Sequence, residues 1–321
     1  MPLDGITARF LALELDARLR EARVDRVAQP DRHQVVLSLR ANRESLRLLL
    51  SCHPVLARAH LVPDTLRLPT DPTQFAALLR RHLTGARVLD IQAPGWERIL
   101  RIRFQAQNEL GDPVQRVLVL EMMGRHSNLV LLNGEERILD ALLHVDDEMS
   151  RVREILPARP YLPPPDQGKR SPDEWLEALG SGEWPLVPAS PSQSAEKALL
   201  GQVKGAGPLL CREILAEAGL DPDRPIPGTD DVRRRLAGSL ARWLAAAAGP
   251  TTSPSLYMAP DDPARVADFH ALAFRFSGLR KEAPDVSEAC RLFYEQREAA
   301  ARRDALKNGL GKKLGSAFQK A

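Results

Sequence analysis

Residues 114–133 read VQRVLVLEMMGRHSNLVLLN, in which two apolar runs are interrupted by glycine, arginine, histidine, serine and asparagine. Each run has the length and the aliphatic composition of a β-strand. We interpret the stretch as two antiparallel strands, VQRVLVLEMM and SNLVLLN, joined by a tight turn from Gly124 to Ser127. Gly124 favours such a turn because glycine tolerates a positive φ. The stretch therefore predicts a hairpin within an antiparallel sheet.

The polar side chains of this turn allow two interpretations. Arg125, His126 and Asn128 lie at or next to the turn, where polar side chains often bind the backbone and lock its conformation. The alternative is that they contact a partner, and the residues alone leave both interpretations open. Ser127 and His126 do not form a nucleophile–base pair on a strand, because neighbouring strand residues point to opposite faces.

Hydrophobic periodicity places further strands and two helices around this hairpin. Apolar residues recur at helical spacing over residues 3–19, with Asp4 as a plausible N-cap, and over residues 75–83, which Gly85 follows. Strand patterns occupy residues 23–30, 34–40, 46–52, 86–93 and 98–106, and Asn133-Gly134 signals a further hairpin over 133–145. Residues 1–165 are thus predicted to form an α+β domain with an antiparallel-sheet core.

The rest of the chain changes character after the proline-rich segment LPARPYLPPP at 156–165. Residues 166–195 are rich in Pro, Ser and Gly around one short helical pattern and predict a linker. Residues 196–248 are helical throughout. Residues 249–286 form a middle segment that opens with a Pro/Ser/Thr loop and carries a strand-like run, and residues 287–321 are again helical.

Composition restricts the class of protein. With 321 residues, 44% of them hydrophobic and 27% charged, the chain is typical of a soluble protein, and no apolar run is long enough to cross a membrane. The three cysteines are odd in number and far apart, which argues against a disulfide framework and favours a reduced, cytoplasmic compartment. Residues 291–321 carry eight Lys/Arg against three Asp/Glu. Such a run is most often a solvated helix, but its lopsided sign also suits a nucleic-acid contact.

A second glycine-containing turn lies in the helical region, at Val203-Lys204-Gly205-Ala206-Gly207. It has the form of a helix–hairpin–helix: the glycines allow close approach of a phosphate, Lys204 adds charge, and the helix that begins at Pro208 offers backbone N–H groups. An ordinary tight turn between two helices would explain the glycines equally well. The lysine and the proline lead us to favour phosphate binding by Lys204, Gly205 and Gly207.

Candidate catalytic residues are scarce. None of the seven histidines belongs to a metal-binding pattern, and the sequence has neither a phosphate-cradling GxxxxGK[ST] loop nor a Gly-x-Ser-x-Gly elbow. Pro2 could act as an N-terminal nucleophile, as in glycosylases of the formamidopyrimidine family, but residue 3 is Leu where those enzymes need an acid. We therefore predict no catalytic site, no metal and no cofactor. Glu97 and Arg98, an adjacent pair of opposite charge before a strand, serve either as an exposed ion pair or as a contact to a polynucleotide.

Read in order, several segments resemble the NFACT family, which includes bacterial RqcH and was formerly known as fibronectin-binding protein A. The matching segments include MPLDGITARFLALEL, PGWERIL, EMMGRHSNLVLL, LPARPYLPPP and VKGAGPLLCREI, and the likeness extends from residue 3 to about residue 300. The resemblance implies an NFACT-N domain, an all-helical helix–hairpin–helix domain and the start of a coiled coil. Complete family members continue into a second α/β domain, so we expect a truncated chain or a short variant.

The resemblance also implies a function. Family members bind a stalled large ribosomal subunit that carries peptidyl-tRNA, recruit tRNA, expected here to be alanine tRNA, and support untemplated alanine tailing. The ribosome performs the peptidyl transfer, so the factor itself is not an enzyme. By this resemblance Glu97, Arg98, Arg125, His126 and Asn128 would recognise tRNA, and Lys204, Gly205 and Gly207 would bind nucleic-acid backbone. The alternatives are a nucleic-acid-binding protein of glycosylase-like architecture and a fibronectin-binding surface adhesin.

Overall fold

The computed structural model describes residues 3–41, 43–66, 68–69, 73–276 and 278–318, with side chains as far as residue 304. The helices are α1 (Gly5–Leu19), α2 (Gln74–Leu83), α3 (Pro172–Gly180), α4 (Ala195–Gln202), α5 (Pro208–Glu217), α6 (Asp230–Ala248) and α7 (Val286–Phe318). The strands are β1 (Arg23–Asp31), β2 (Gln34–Ala41), β3 (Glu44–Ser51), β4 (Arg58–Val62), β5 (Arg87–Gln92), β6 (Ile99–Gln107), β7 (Pro113–Glu121), β8 (Asn128–Asn133), β9 (Ile138–Ala141), β10 (Ser255–Ala259), β11 (Asp262–His270) and β12 (Arg280–Glu282).

The first nine strands form one antiparallel sheet in the order β4-β3-β2-β1-β5-β6-β7-β8-β9. The hairpin predicted from residues 114–133 is confirmed: β7 pairs with β8, and Glu121 lies opposite Asn128. Residues 124–126 form a short 3₁₀ turn between them, and Gly124 has a φ of 63°. The predicted α+β fold with an antiparallel sheet is therefore confirmed.

The first helix lies against this sheet and is buried on most of its sides. Asp4 is its N-cap, as predicted, and its carboxylate accepts a hydrogen bond of 2.8 Å from the backbone N–H of Thr7. The side chains of Ile6, Phe10 and Leu15 are fully or almost fully buried. Because α1 is covered by other elements as well as by the sheet, it has no broad polar face, which is typical of a helix inside a core.

One strand of the sheet differs from the sequence prediction. Residues 58–62 were not predicted to be a strand, yet they form β4 and pair with β3, with Leu49 opposite His60. Arg58 and His60 interrupt the apolar pattern of this segment, but both side chains are only 2% exposed. Arg58 is buried because its guanidinium binds Glu298 of α7 at 2.6 Å, a partner that lies 240 residues away in the chain.

Residues 166–282 combine a helical part with a second, smaller sheet. The segment predicted as a linker contains α3, whose Trp175 is fully buried and donates a hydrogen bond to the carbonyl of Gln202. A five-residue turn, 203–207, joins α4 to α5. Strands β10, β11 and β12 form a three-stranded sheet in the order β11-β10-β12 within the predicted middle segment.

A single cluster of buried side chains joins these parts. It includes Leu11 of α1, Leu100 of the large sheet, Leu199 of α4, Leu244 of α6 and Phe293 of α7. The division into domains at residues 165, 195, 248 and 286 therefore stays a prediction, because the described segments share one core.

The first turn of the last helix is held inside the fold. The Glu14 carboxylate of α1 accepts hydrogen bonds from the first N–H groups of α7, at 2.7 Å from Val286 and 3.1 Å from Ser287. No described helix is long and apolar enough to span a membrane. The coiled coil expected from the resemblance stays a prediction.

Candidate nucleic-acid interface

A cleft of about 1180 Å³ gathers the residues predicted to recognise tRNA. It lies between the β1–β2 turn, the start of α2, the segment before β6, the β7–β8 turn and the loop that follows β9. All five residues predicted for tRNA recognition line it, namely Glu97, Arg98, Arg125, His126 and Asn128. The sheet brings them together, because the segment before β6 and the β7–β8 turn lie at the same end of neighbouring strands.

Two side chains of the β7–β8 turn hold its backbone. The Ser127 hydroxyl donates to the carbonyl of Gly124 at 2.7 Å and accepts from the N–H of Met123 at 2.9 Å. The buried Asn128 amide donates to the carbonyl of Leu143 at 2.7 Å and accepts from the Leu143 N–H at 3.0 Å. Ser127 and Asn128 therefore fix the turn and join it to the loop after β9, so Asn128 shapes the cleft from below its surface.

The other two side chains of the turn are exposed in the cleft. The Nε of Arg125 donates to the Nε2 of His126 at 3.0 Å, and both side chains are open to solvent. An exposed guanidinium retains several N–H donors in a planar arrangement that matches phosphate. Ser127 and Asn128 thus lock the turn, whereas Arg125 and His126 face outward, and their contact with a partner stays a prediction.

Glu97 and Arg98 follow a strained turn at the start of β6. Gly95 and Trp96 have φ values of 64° and 59°, and Trp96 is a non-glycine residue in the left-handed region. The Glu97 carboxylate lies 3.6 Å from the Nζ of Lys204, and the carbonyl of Arg98 accepts from the N–H of Met122 at 2.9 Å. The pair is half-buried and connects the cleft with the 203–207 turn.

The 203–207 turn packs against the beginning of the chain. The N–H of Gly207, predicted to donate to a phosphate, donates to the Asp4 carboxylate at 2.9 Å, and Gly207 is buried. The carbonyl of Gly205 accepts from the N–H of Ile6 at 3.1 Å. In this structure the close approach that the glycines allow is therefore made by the first helix.

Lys204 also has partners within the chain. Its Nζ lies 3.0 Å from Asp166 and 3.6 Å from Glu97. Partial burial lowers the pKa of Lys204, but the hydrogen bond to Asp166 and the two nearby carboxylates outweigh it and raise that pKa overall. The charge of Lys204 is thus balanced by two carboxylates before any phosphate approaches.

A buried network under the cleft was not predicted. The Glu121 carboxylate is fully buried at the end of β7 and binds the Arg153 guanidinium at 2.7 Å and the Tyr161 hydroxyl at 2.8 Å. Burial lowers the pKa of Arg153, but the hydrogen bonds to Glu121 raise it overall. Glu121 lies in EMMGRHSNLVLL and Tyr161 in LPARPYLPPP, two of the segments that carry the resemblance, but no local pattern in either segment indicates that these residues are in contact.

Further residues add both basic and apolar side chains to the lining of the cleft. Arg32 and His33 of the β1–β2 turn line it, and neither was predicted. Met149 and Val152, in the loop after β9, line it with side chains that are 70% and 66% exposed. A cleft with cationic and apolar side chains can contact both the phosphates and the bases of a nucleic acid.

The cleft lacks the arrangement needed for nucleophilic catalysis at Ser127, because its hydroxyl donates to the Gly124 carbonyl. Among the described residues, no group of three or more His, Cys, Asp or Glu side chains could hold a metal ion. What suits the cleft to binding a polyanion is the presence of Arg32 and Arg125, whose exposed guanidinium groups line it.

Comparisons with known proteins indicate the family of this chain. A family model described as the NFACT N-terminal and middle domains matches residues 4–321. The Rqc2 homolog RqcH of Bacillus subtilis is 33% identical over 226 residues, which are 68% of this chain and 38% of that protein. The Rqc2 homolog RqcH of Streptococcus pneumoniae is 35% identical over 173 residues, which are 54% of this chain and 31% of that protein. The chain thus spans about a third of the length of these curated relatives.

Solved structures share the fold. The fibrinogen-binding protein from Staphylococcus aureus superimposes with a TM-score of 0.72 and 25% identity, covering 92% of this chain and 99% of that one. The N-terminal part of the fibronectin/fibrinogen-binding protein from Streptococcus suis does so with a TM-score of 0.71 and 26% identity, covering 91% and 99%. Since the family model matches nearly the whole sequence, this chain belongs to the NFACT family and corresponds to its N-terminal and middle domains.

Proposed function

We propose that this chain is the tRNA-binding part of a cytoplasmic ribosome quality-control factor and that the cleft is its tRNA contact. The observation that carries the proposal is the convergence of Glu97, Arg98, Arg125, His126 and Asn128 on one cleft. Glu97 and Arg98 come from the segment before β6, and the other three residues come from the β7–β8 turn, so that two whole strands separate them in the chain. The relatives' names, Rqc2 homolog RqcH, support the same role.

The chemistry of the cleft fits binding rather than catalysis. The Arg125 guanidinium can bind a phosphate through two N–H groups, while Met149 and Val152 offer apolar surface to a base or a ribose. In the proposed role the ribosome's own peptidyl transferase forms the peptide bonds. The factor holds alanine tRNA beside a large subunit that carries peptidyl-tRNA and so supports untemplated alanine tailing. In this proposal α7 is the start of a coiled coil, and the 203–207 turn belongs to a helix–hairpin–helix domain. Because Asp4, Asp166 and Glu97 already pair with the turn, it makes no phosphate contact of its own with the tRNA held in the cleft.

The tRNA contact is tested by fluorescence anisotropy with labelled alanine-tRNA transcript and the 321-residue chain. We expect the double variant Arg125→Gln/His126→Gln to bind about tenfold more weakly, and its dependence of log K on log salt to become shallower by about 1, because one phosphate contact is lost. Arg234→Gln is the matched control: this arginine is exposed on α6, outside the cleft. Equal affinities of the double variant and the unmodified chain would refute the cleft as the tRNA contact.

The tailing role is tested in cells whose own gene copy carries Glu97→Ala/Arg98→Ala. We expect C-terminal alanine tails on stalled nascent chains to disappear, because the pair faces the tRNA in the proposed complex. Tails are measured by mass spectrometry of a reporter that lacks a stop codon, and Arg234→Gln in the same gene controls for expression. Tails of normal length in the double variant would rule out a role of this pair in tailing.

A second candidate function follows from the similar solved structures, whose names describe fibrinogen and fibronectin binding. In that case the chain would bind these host proteins through a surface that does not need the cleft. Surface plasmon resonance with immobilised fibronectin distinguishes the two functions. Saturable binding that Arg125→Gln/His126→Gln leaves unchanged would favour the adhesin.

A further inference from the structure

An exposed aromatic side chain lies on the loop between β11 and β12, outside the cleft. Phe276 is 58% exposed, and Leu279, three residues later, is 57% exposed. Among the Phe, Trp and Tyr residues whose side chains the structure describes, Phe276 is the only one that is mostly exposed to solvent; the others are buried or half-buried. Aromatic residues make up only 5% of the sequence, so an aromatic side chain left in solvent stands out against a chain that buries nearly all the others.

The base of this loop is held firmly by a buried carboxylate. Glu213 of α5 is fully buried, and its two oxygens accept hydrogen bonds from the backbone N–H groups of Arg275, at 2.5 Å, and Phe276, at 3.0 Å. A buried carboxylate is costly unless it is well paired, so its use here means that the backbone under Phe276 is tightly positioned. On the other side, the carbonyl of Leu279 accepts from the N–H of Met258 at 2.9 Å, where the chain enters β12.

The exposed tip is surrounded by positive charge. Residues 275–282 contain Arg275, Arg280 and Lys281 against a single acidic residue, Glu282, and all four of these side chains are exposed. Arg280 lies 3.4 Å from Glu282, a surface pair that contributes little and leaves a net charge of +2. An apolar protein partner or a lipid tail would not need this excess of cations, whereas a polyanion with accessible flat surfaces would use both the ring and the charges.

We infer that four described residues, Arg275, Phe276, Arg280 and Lys281, form a second RNA contact, in which an unpaired base stacks on Phe276 while the three cationic side chains bind the flanking phosphates. Stacking requires a base that is free of its helix, so the ligand class is single-stranded or looped RNA rather than duplex. None of these four residues lines the cleft, and the contact forms independently of the tRNA contact proposed there.

The test is binding of the 321-residue chain to a labelled 12-nucleotide single-stranded RNA and to the corresponding duplex. We expect Phe276→Ala to weaken binding of the single strand about tenfold, the size of one lost stacking contact, and to leave binding of the duplex unchanged. Phe276→Tyr keeps a ring of the same size and is expected to bind like the unmodified chain. Because the loop contributes no ring to the core, unchanged thermal unfolding is the control for folding of both variants.

Three outcomes would overturn the inference. The first is an unchanged affinity of Phe276→Ala for the single strand, and the second is an equal loss of affinity for the duplex. The third is full affinity of Phe276→Leu for the single strand, which would reduce the role of the ring to general hydrophobic contact. The cleft variant Arg125→Gln/His126→Gln is measured in parallel. A loss confined to Phe276→Ala supports the loop even if the cleft does not bind tRNA, so the two proposals fail separately.

Discussion

The β7–β8 turn and the 203–207 turn look alike in sequence but have opposite surroundings in the structure. Each combines glycine with a basic residue, and each was a candidate for contact with nucleic acid. In the β7–β8 turn, Arg125 is exposed and its Nε donates to the ring of His126. In the 203–207 turn, Lys204 lies between two carboxylates and the N–H of Gly207 donates to Asp4. A glycine in a turn allows another group to approach the backbone closely, but the sequence does not tell whether that group is a ligand or another part of the chain.

The group that approaches the 203–207 turn is the N-terminal end of α1. The Asp4 carboxylate binds the N–H of Thr7 in its own helix, the N–H of Gly207 and, at 3.2 Å, the Nε2 of His270. Burial raises the pKa of Asp4, but the attraction and hydrogen bond of His270 and the bonds from Thr7 outweigh it and lower that pKa overall. Asp4 thus occupies the helix N-terminus of α5 as an internal anion, in the position where a phosphate was expected.

Among the substitutions that test this comparison, Gly5→Ala is expected to have the largest effect, which is a loss of stability. A Cβ at Gly5 would lie 1.9 Å from the carbonyl oxygen of Trp96 and 2.8 Å from the Cα of Gly205, and both are backbone atoms that cannot turn aside. We expect a loss of about 3 kcal/mol or more in the free energy of unfolding, at the upper end for overpacking. Urea unfolding followed by circular dichroism measures it.

The control for Gly5→Ala is Gly201→Ala in α4. Nothing lies within 4 Å of a Cβ at Gly201, and alanine favours a helix over glycine, so this variant is expected to be neutral or slightly more stable. If Gly5→Ala unfolded at the same urea concentration as the unmodified chain, the packing of α1 against the 203–207 turn would be looser than the structure describes. The turn would then regain its place as a candidate phosphate site.

Features that depend on neighbours in sequence could be predicted. Asp4 as the N-cap of α1 follows from a local signature, and the β7–β8 hairpin follows from two apolar runs around a glycine. The second role of Asp4 depends on Gly207, 203 residues away, and no local pattern contains that information. For the same reason β4 was missed, since Arg58 is an unlikely strand residue until Glu298 supplies its partner.

The candidate site was predictable only in part. The resemblance indicated Arg125 and Glu97 separately, but that they share a cleft depends on the order of β6, β7 and β8 in the sheet. Arg153 lies in a loop without a strong pattern, and its contact with Glu121 connects segments 32 residues apart. The side chains that position a site were therefore harder to predict than those that face its ligand.

The smallest expected effect separates the two turns most directly. Lys204→Gln removes a charge that Asp166 and Glu97 already balance, whereas Arg125→Gln removes one that is exposed in the cleft. We expect Lys204→Gln to change the affinity for tRNA less than about twofold and to leave the salt dependence unaltered, since no phosphate contact is lost. Arg125→Gln is expected to weaken binding several-fold and to make the salt dependence shallower by about 1.

Both variants are measured by anisotropy at several salt concentrations with the same transcript. The reverse ranking would mean that RNA displaces Asp166 from Lys204, and the 203–207 turn rather than the cleft would then be the principal phosphate contact.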